Sequence, residues 1–233
     1  MSTAQYDDLW RTAWGDMQHY GPVHRHTLED LVRTVCALDV KSVLDVGCGS
    51  GENLAALAAC NRFELSGADV SDEALNLARQ RVPAASFQKL DAQRDALTEK
   101  FDLVMSIQVV EHLYDDISAI CNMAKMSKKY VLISTMQGRM RQSEIGIGHI
   151  RNYSAQELRQ KVEMAGLEVL DIHGWGFPFY SPIYRTLSEH LPGGPPTGEM
   201  SGATKLAARA LYQLYKLNLR GRGDVITALA RAA

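Results

Sequence analysis

A chain of 233 residues, 46% of them apolar, can bury one large core and demands no second domain. Its formal net charge of −2 offers no global attraction to nucleic acid or acidic membranes. No apolar run reaches the ~18 residues that a bilayer span needs. Cys36, Cys48, Cys60 and Cys121 show no C-x-x-C spacing and follow no secretory leader, which predicts reduced cysteines in a cytoplasmic protein.

In chain order, Trp10, Trp14, Tyr20, His24, Arg25 and His26 precede an apolar helix at 28–38. Val43, Leu44 and Val46 then read as a buried strand that runs into Gly47, Cys48, Gly49, Ser50 and Gly51 and on into a helix at 52–60. Glycines spaced two apart let the backbone turn sharply and approach a ligand with no Cβ in the way. A dinucleotide fingerprint would place its third glycine where Glu52 stands, and a carboxylate beside two phosphates disfavours pyrophosphate. Asp45 favours a ligand bearing positive charge, such as an ammonium or sulfonium.

A second strand at 63–68 ends at Asp69, 24 residues beyond Asp45, and Ser71, Asp72 and Glu73 open a helix with an N-cap and an acidic first turn. A carboxylate at that strand end suits the two hydroxyls of a ribose. A third strand at 85–90 ends at Asp91, which can accept from an adenine amino group, and a fourth at 101–107 carries Ser106, Ile107 and Gln108 to the same crevice. Val70 and Ala92, each following one of these acids, join the binding set. Taken singly each acid is more often a cap or loop residue; their shared position at strand C-terminal ends argues for a ligand.

A fifth strand spans 130–135. Ser154, Ala155, Gln156 and Glu157 form a capping box opening a helix to 165, Gly166 stops it, and 167–172 returns as a strand. The last strand is read at 224–230. Between them, 176–222 contains Pro178, Pro182 and the break Leu191-Pro192-Gly193-Gly194-Pro195-Pro196, then a helix at about 203–217. On that helix Lys205, Arg209, Tyr212 and Lys216 oppose Leu206, Ala210, Leu214 and Leu217, and from 201 to 233 six basic residues face one acid. Such a helix can lie on an anionic membrane surface, cap a pocket or join a second copy of the chain in a homodimer.

The set Asp45-Val46-Gly47-Cys48-Gly49-Ser50-Gly51, Asp69 and Asp91 resembles the class I S-adenosylmethionine-dependent methyltransferases over roughly residues 41–175. Pro22-Val23-His24-Arg25, Val110-Glu111-His112-Leu113 and Ile133-Ser134-Thr135 resemble the ubiquinone-biosynthesis O-methyltransferase type. The resemblance implies S-adenosylmethionine as cofactor and S-adenosylhomocysteine as product, with Asp69 on the ribose and Asp91 on the adenine side. It implies an α/β, Rossmann-like, doubly wound, seven-stranded, mostly parallel sheet with an antiparallel C-terminal edge strand. Residues 1–40 become a helical lid, 41–175 the cofactor-binding core, 176–222 a helical acceptor-side insertion and 223–233 the last strand. Arg25 in the lid can pair with the methionine carboxylate, or be a plain solvated charge.

Methyl transfer requires alignment and exclusion of water, and a base is optional. For a hydroxyl acceptor, His112 after the fourth strand and His149 in the glycine-flanked loop 146–151 are the candidate bases, each with the alternative of a local structural role. In the resembling enzymes, and in small-RNA 2′-O-methyltransferases, two glutamates and a histidine at i, i+3 and i+4 belong to a metal site. Here those positions hold Gln108, Glu111 and His112, and a neutral amide weakens the hold on a hard cation, so no metal is expected. Trp175, Phe177, Phe179, Tyr180 and Tyr184 either line an apolar acceptor pocket or pack a core. The expectation is methyl transfer to a small molecule, at oxygen first, with nitrogen and carbon acceptors left open. A regulatory protein that only binds adenosylmethionine and a nicotinamide oxidoreductase are the competing classes.

Overall fold

Apolar strands alternating with amphipathic helices assemble into one eight-stranded sheet with helices on both faces. The computed structural model describes residues 7, 19–189 and 199–232; Trp10, Trp14 and the break at 191–196 lie outside the described residues. The elements are α1 (Pro22–Ala37), β1 (Ser42–Val46), α2 (Glu52–Ala58), β2 (Glu64–Asp69), α3 (Asp72–Arg81), β3 (Ser86–Lys89), β4 (Phe101–Ile107), α4 (Asp116–Met126), β5 (Ser127–Met136), α5 (Gln142–Gly146), α6 (Ala155–Met164), β6 (Leu167–Phe177), α7 (Arg185–Ser188), α8 (Gly202–Tyr215), β7 (Leu219–Arg220) and β8 (Val225–Ala232).

The strand order is β3-β2-β1-β4-β5-β8-β6-β7, with the first five parallel. The order reverses between β1 and β4, and an open α/β sheet leaves a crevice at such a point, outside the strands' carboxyl ends. Period-2 alternation divides the core. Leu44, Val46, Val104, Val131 and Ile133 pack with Ile120 and Met123 of α4 and Leu158 and Val162 of α6. Val43, Leu103, Met105 and Leu132 pack on the opposite face with Leu31 and Val35 of α1, Leu54 and Leu57 of α2 and Leu75 of α3.

Two expectations about the sheet need correction. Among the described residues there are eight strands rather than seven, and the C-terminal strand, although antiparallel, is not at the edge. β8 lies between β5 and β6 and pairs antiparallel with both. Val225, Ile226, Ala228 and Ala230 are buried, which suits an interior strand. The edge is β7, two exposed residues long and hydrogen-bonded to the extension of β6 beyond residue 172. A short edge strand offers little template for further pairing.

α1 begins at Pro22, since proline suits the first turn of a helix, so His24, Arg25 and His26 are helical. α8 packs against α1 with its aromatic side: the His26 and Tyr212 rings stack 4.6 Å apart, and Tyr212 Oη donates to Glu29. Tyr212 and Tyr215 are buried, whereas Leu206, Leu214 and Leu217 face outward. The outward leucines are what contact with a lipid surface or a second copy would use.

Asp116, 2% exposed, ties α4 to α6. It accepts from Lys161 Nζ at 2.7 Å, Tyr153 Oη at 2.6 Å and Arg151 at 2.7 Å. Burial pushes its carboxyl up, but these donors together hold it below the usual carboxylate range. Asp116→Asn should cost about 1.5–3 kcal/mol at neutral pH, the range for hydrogen bonds to a charged group. Because the folded pKa is depressed, this contribution is present above an ordinary value of about 3.9 and is lost as pH falls through the lower folded value. Denaturant titrations should therefore show the gap between wild type and variant closing below about pH 4.

Candidate active site

The glycine turn after β1 is held by the end of β2. Gly47 N and Cys48 N donate to Ala68 O at 2.8 and 3.1 Å, and Gly49 N donates to Asp69 Oδ2 at 2.9 Å. Gly47 and Gly51 have φ of +77° and +81°. A Cβ on Gly47 would lie 2.5 Å from Val109 Cγ2, and one on Gly51 3.2 Å from Ala78, so neither turn position admits a side chain. Cys48 is buried, its thiol donating to Gly49 O at 3.7 Å.

Asp69 is 4% exposed, and its other oxygen accepts from Ser71 N at 2.9 Å. Burial raises its pKa, opposed by the amides of Ser71, Gly49 and Val70. Ser71 caps α3 as expected, accepting from Ala74 N, and its hydroxyl donates to Asp7. Asp45 lies under the turn, fully buried, with Asn53 Nδ2 donating to Oδ2 at 3.2 Å and Oδ1 without a partner. Burial pushes its pKa up to about 7, and a cationic group brought to that oxygen would relieve it. Asn53 went unread in the sequence; the only signal is a polar residue among the inward positions of α2.

The other predicted residues separate. Ile107 is 7% exposed and belongs to the core. Asp91 caps its own turn, accepting from Gln93 N at 3.1 Å and pairing with Arg94 at 3.3 Å, while Ala92 O accepts from Asn122 at 2.9 Å. Arg25, expected opposite a carboxylate, has its guanidinium 3.7 Å from the centre of the Tyr212 ring. That stacking takes the place of the plain solvated charge. His24 is the α1 residue whose ring feels the Glu52 charge at the start of α2.

Past β4, Gln108 adopts φ +58° with its N–H on Ser134 O at 2.7 Å and its Nε2 buried without a partner. A short turn (Val110–His112) then turns Glu111 fully inward. Thr135 Oγ1, at the end of β5, donates to Glu111 Oε2 at 2.8 Å, and Oε1 has no partner. The loop bearing His149 closes over this point, with Ile150 N donating to Glu111 O at 3.0 Å and His149 N to Glu144 O at 2.9 Å. The His112 and His149 rings meet at 4.6 Å and 78°. One ligand atom from each of Glu111, His112 and His149 lies within 4.8 Å of the others.

Burial pushes the Glu111 carboxyl up to about 7 and both imidazoles down to about 4. Neutral imidazoles beside a carboxylate can accept a proton, and they are also the donor set of a divalent cation. Behind His149 stands a buried network absent from the sequence reading. Arg185, 4% exposed, donates to Glu144, Asp224 and Gln137 O, and Asn152 Nδ2 donates to Glu144 Oε2 at 3.0 Å. These partners are 41 and 39 positions from Arg185, too far for any local pattern to reveal. Trp175, Phe179, Tyr180 and Tyr184 pack with Met136, Tyr215 and Val225 as a third apolar cluster, the core alternative of the two expected.

A family profile described as a methyltransferase domain matches residues 17–172, more than half of the chain. A ubiquinone biosynthesis O-methyltransferase of Azoarcus sp. (strain BH72) is 28% identical over 209 residues, which cover 78% of this chain and 87% of that protein. The solved N-methyltransferase NodS from Bradyrhizobium japonicum WM9, in complex with S-adenosyl-L-homocysteine, superposes with a TM-score of 0.64 at 17% identity, covering 100% of this chain and 99% of that one. Magnesium protoporphyrin IX methyltransferase from Synechocystis PCC 6803 with bound S-adenosylmethionine gives 0.57 at 15% identity, covering 90% and 80%. The two solved structures establish likeness of fold, and the nicotinamide alternative finds no support among these comparisons. The matched segment contains the glycine turn, Asp69, the buried Glu111 and His149 and the half-buried His112, and with that match the chain belongs to the methyltransferase-domain family and is an S-adenosylmethionine-dependent methyltransferase.

Proposed function

We propose that this enzyme methylates an oxygen of a small-molecule acceptor, and that His149 takes up the acceptor's proton. The observation that carries the reading is the meeting of the buried His149 and Glu111 with the half-buried His112 beyond the ends of β4 and β5. The bound donor supplies a methyl group on a sulfonium for in-line displacement. The glycine turn suits it because Asp45 Oδ1, buried beneath the turn without a hydrogen-bond partner, awaits a cationic partner. Asp69 keeps lone pairs for the ribose hydroxyls beyond its two backbone donors. An imidazole held down near 4 is neutral at physiological pH, the form able to accept a proton. The relatives named as ubiquinone biosynthesis O-methyltransferases support oxygen as the acceptor atom.

A second reading rests on the same three side chains. Glu111 Oε1 and His149 Nδ1 are buried without hydrogen-bond partners, and a divalent cation would satisfy both, although Gln108 brings no charge to the set. Such an ion would supply Lewis acidity, lowering the pKa of an acceptor hydroxyl.

Three outcomes test these assignments. Asp69→Ala should weaken S-adenosylhomocysteine binding in calorimetry by about 10- to 100-fold, or roughly 1.5–3 kcal/mol; unchanged affinity would remove Asp69 from the ribose. His149→Ala should slow methyl transfer while leaving that affinity nearly intact. Activity that survives chelation keeps His149 as base, whereas activity lost and then restored by added divalent ion gives the trio to a metal.

Glu111 also predicts a pH dependence. Its folded pKa, about 7, stands above an ordinary 4.5, so the folded chain retains a proton that the unfolded chain releases and stability falls as pH rises between those values. Glu111→Gln should impair activity yet be more stable than wild type at alkaline pH, by something on the order of 1–3 kcal/mol. Thermal melts should show that advantage shrinking as pH is lowered through the same window.

A further inference from the structure

Cys36, one residue from the end of α1, and Cys60, just past α2, place their sulfurs 3.3 Å apart. None of the four cysteines is bridged to another, and these two are the half-buried pair that meets. Arg62 fixes the approach from one side, its guanidinium donating to Cys36 O at 3.0 Å and Leu38 O at 3.1 Å. The end of α1 is thereby bound to the turn that carries Cys60. A disulfide would bring these sulfurs to about 2 Å of each other. By contrast, Cys48 is buried against Gly49 O, and Cys121 lies on α4.

We propose that Cys36 and Cys60 form a thiol–disulfide exchange site whose partner is a low-molecular-weight disulfide of the glutathione class. One protein thiolate attacks the small disulfide, forming a mixed disulfide and releasing one small thiol. The second protein thiolate then attacks the protein sulfur of that mixed disulfide, forming the Cys36–Cys60 bond and releasing the other small thiol. The protein pair loses two electrons and the small disulfide gains them, with both cysteine protons passing to the departing thiolates. Burial raises the Cys36 thiol pKa, so exchange is slower at neutral than at mildly alkaline pH.

The bond would close a ring 24 positions wide that contains β1, the whole glycine turn and α2. α1 is held at its other end by α8 through His26 and Tyr212, and by His173, which bridges Asp30 at 2.9 Å to β6. Oxidation would therefore pin the remaining end of α1 to the element that opens from the turn. The local thiol–disulfide balance would set the stability of the segment beneath the cofactor crevice.

The test equilibrates the whole protein in buffers of graded oxidised-to-reduced glutathione ratio, blocks free thiols with iodoacetamide and maps peptides by fragmentation mass spectrometry. The expected product joins Cys36 to Cys60, lighter by two hydrogens than the paired thiols, with Cys121 alkylated. Its melting temperature should rise by roughly 5–10 °C and return on adding excess reduced glutathione. Cys36→Ser and Cys60→Ser should each abolish the joined product. Alkylated or separately glutathionylated Cys36 and Cys60 at the most oxidising ratio, in protein whose circular dichroism is still native, would overturn the proposal. A join to Cys48, which shares a tryptic peptide with Cys60, would overturn it as well.

Discussion

The carboxylate of Asp69 is where two strand ends become one site. One oxygen takes the amide of Gly49 from the turn after β1, and the other takes the amide of Ser71 at the start of α3. A buried charge is tolerated only when donors surround it, and here the donors are backbone groups that would otherwise be unpaired at a turn and a helix start. The acid thus satisfies the turn while the turn stabilises the acid. With the Ala68 carbonyl taking Gly47 N and Cys48 N, this sets where the glycine backbone passes and how α2 leaves it.

A parallel sheet collects such strand ends on one side, and the reversal of order between β1 and β4 keeps them uncovered. The cost of burying polar groups is concentrated there. Asp45, Glu111, His112 and His149 are all pushed by burial toward their neutral forms, whereas the buried Asp116 is fully paired with Lys161, Tyr153 and Arg151. Asp45 Oδ1 and Glu111 Oε1 are the buried carboxyl oxygens that the fold leaves unpaired there, each with acceptor capacity for a ligand.

The two halves of the site are held with different firmness in sequence terms. The cofactor side is local, since turn, cap and acid fall within residues 45–73. The cluster of Glu111, His112 and His149 depends on contacts between distant segments: Thr135 to Glu111, Ile150 to Glu111, and Arg185 to Glu144 and Asp224. Aromatic residues from β6, the segment after it and α8 stack on one another and on His26 as a separate apolar cluster.

Local pattern was enough for the strand and helix alternation, the glycine turn, the Ser71 and Ser154 caps and the placing of Asp69, because each follows from residues close in the chain. Tertiary structure alone decided three things. β8 runs between β5 and β6 because its inward residues fill space that only those two strands define. Arg25 stacks on Tyr212, nearly two hundred positions away, and no periodicity in either segment announces that pairing. Glu111, His112 and His149 converge although Gln108 replaces the acid that the motif leads one to expect, because the loop carrying His149 is anchored on the Glu111 backbone. Spacing along a chain sets which residues share a face; only packing sets which faces meet.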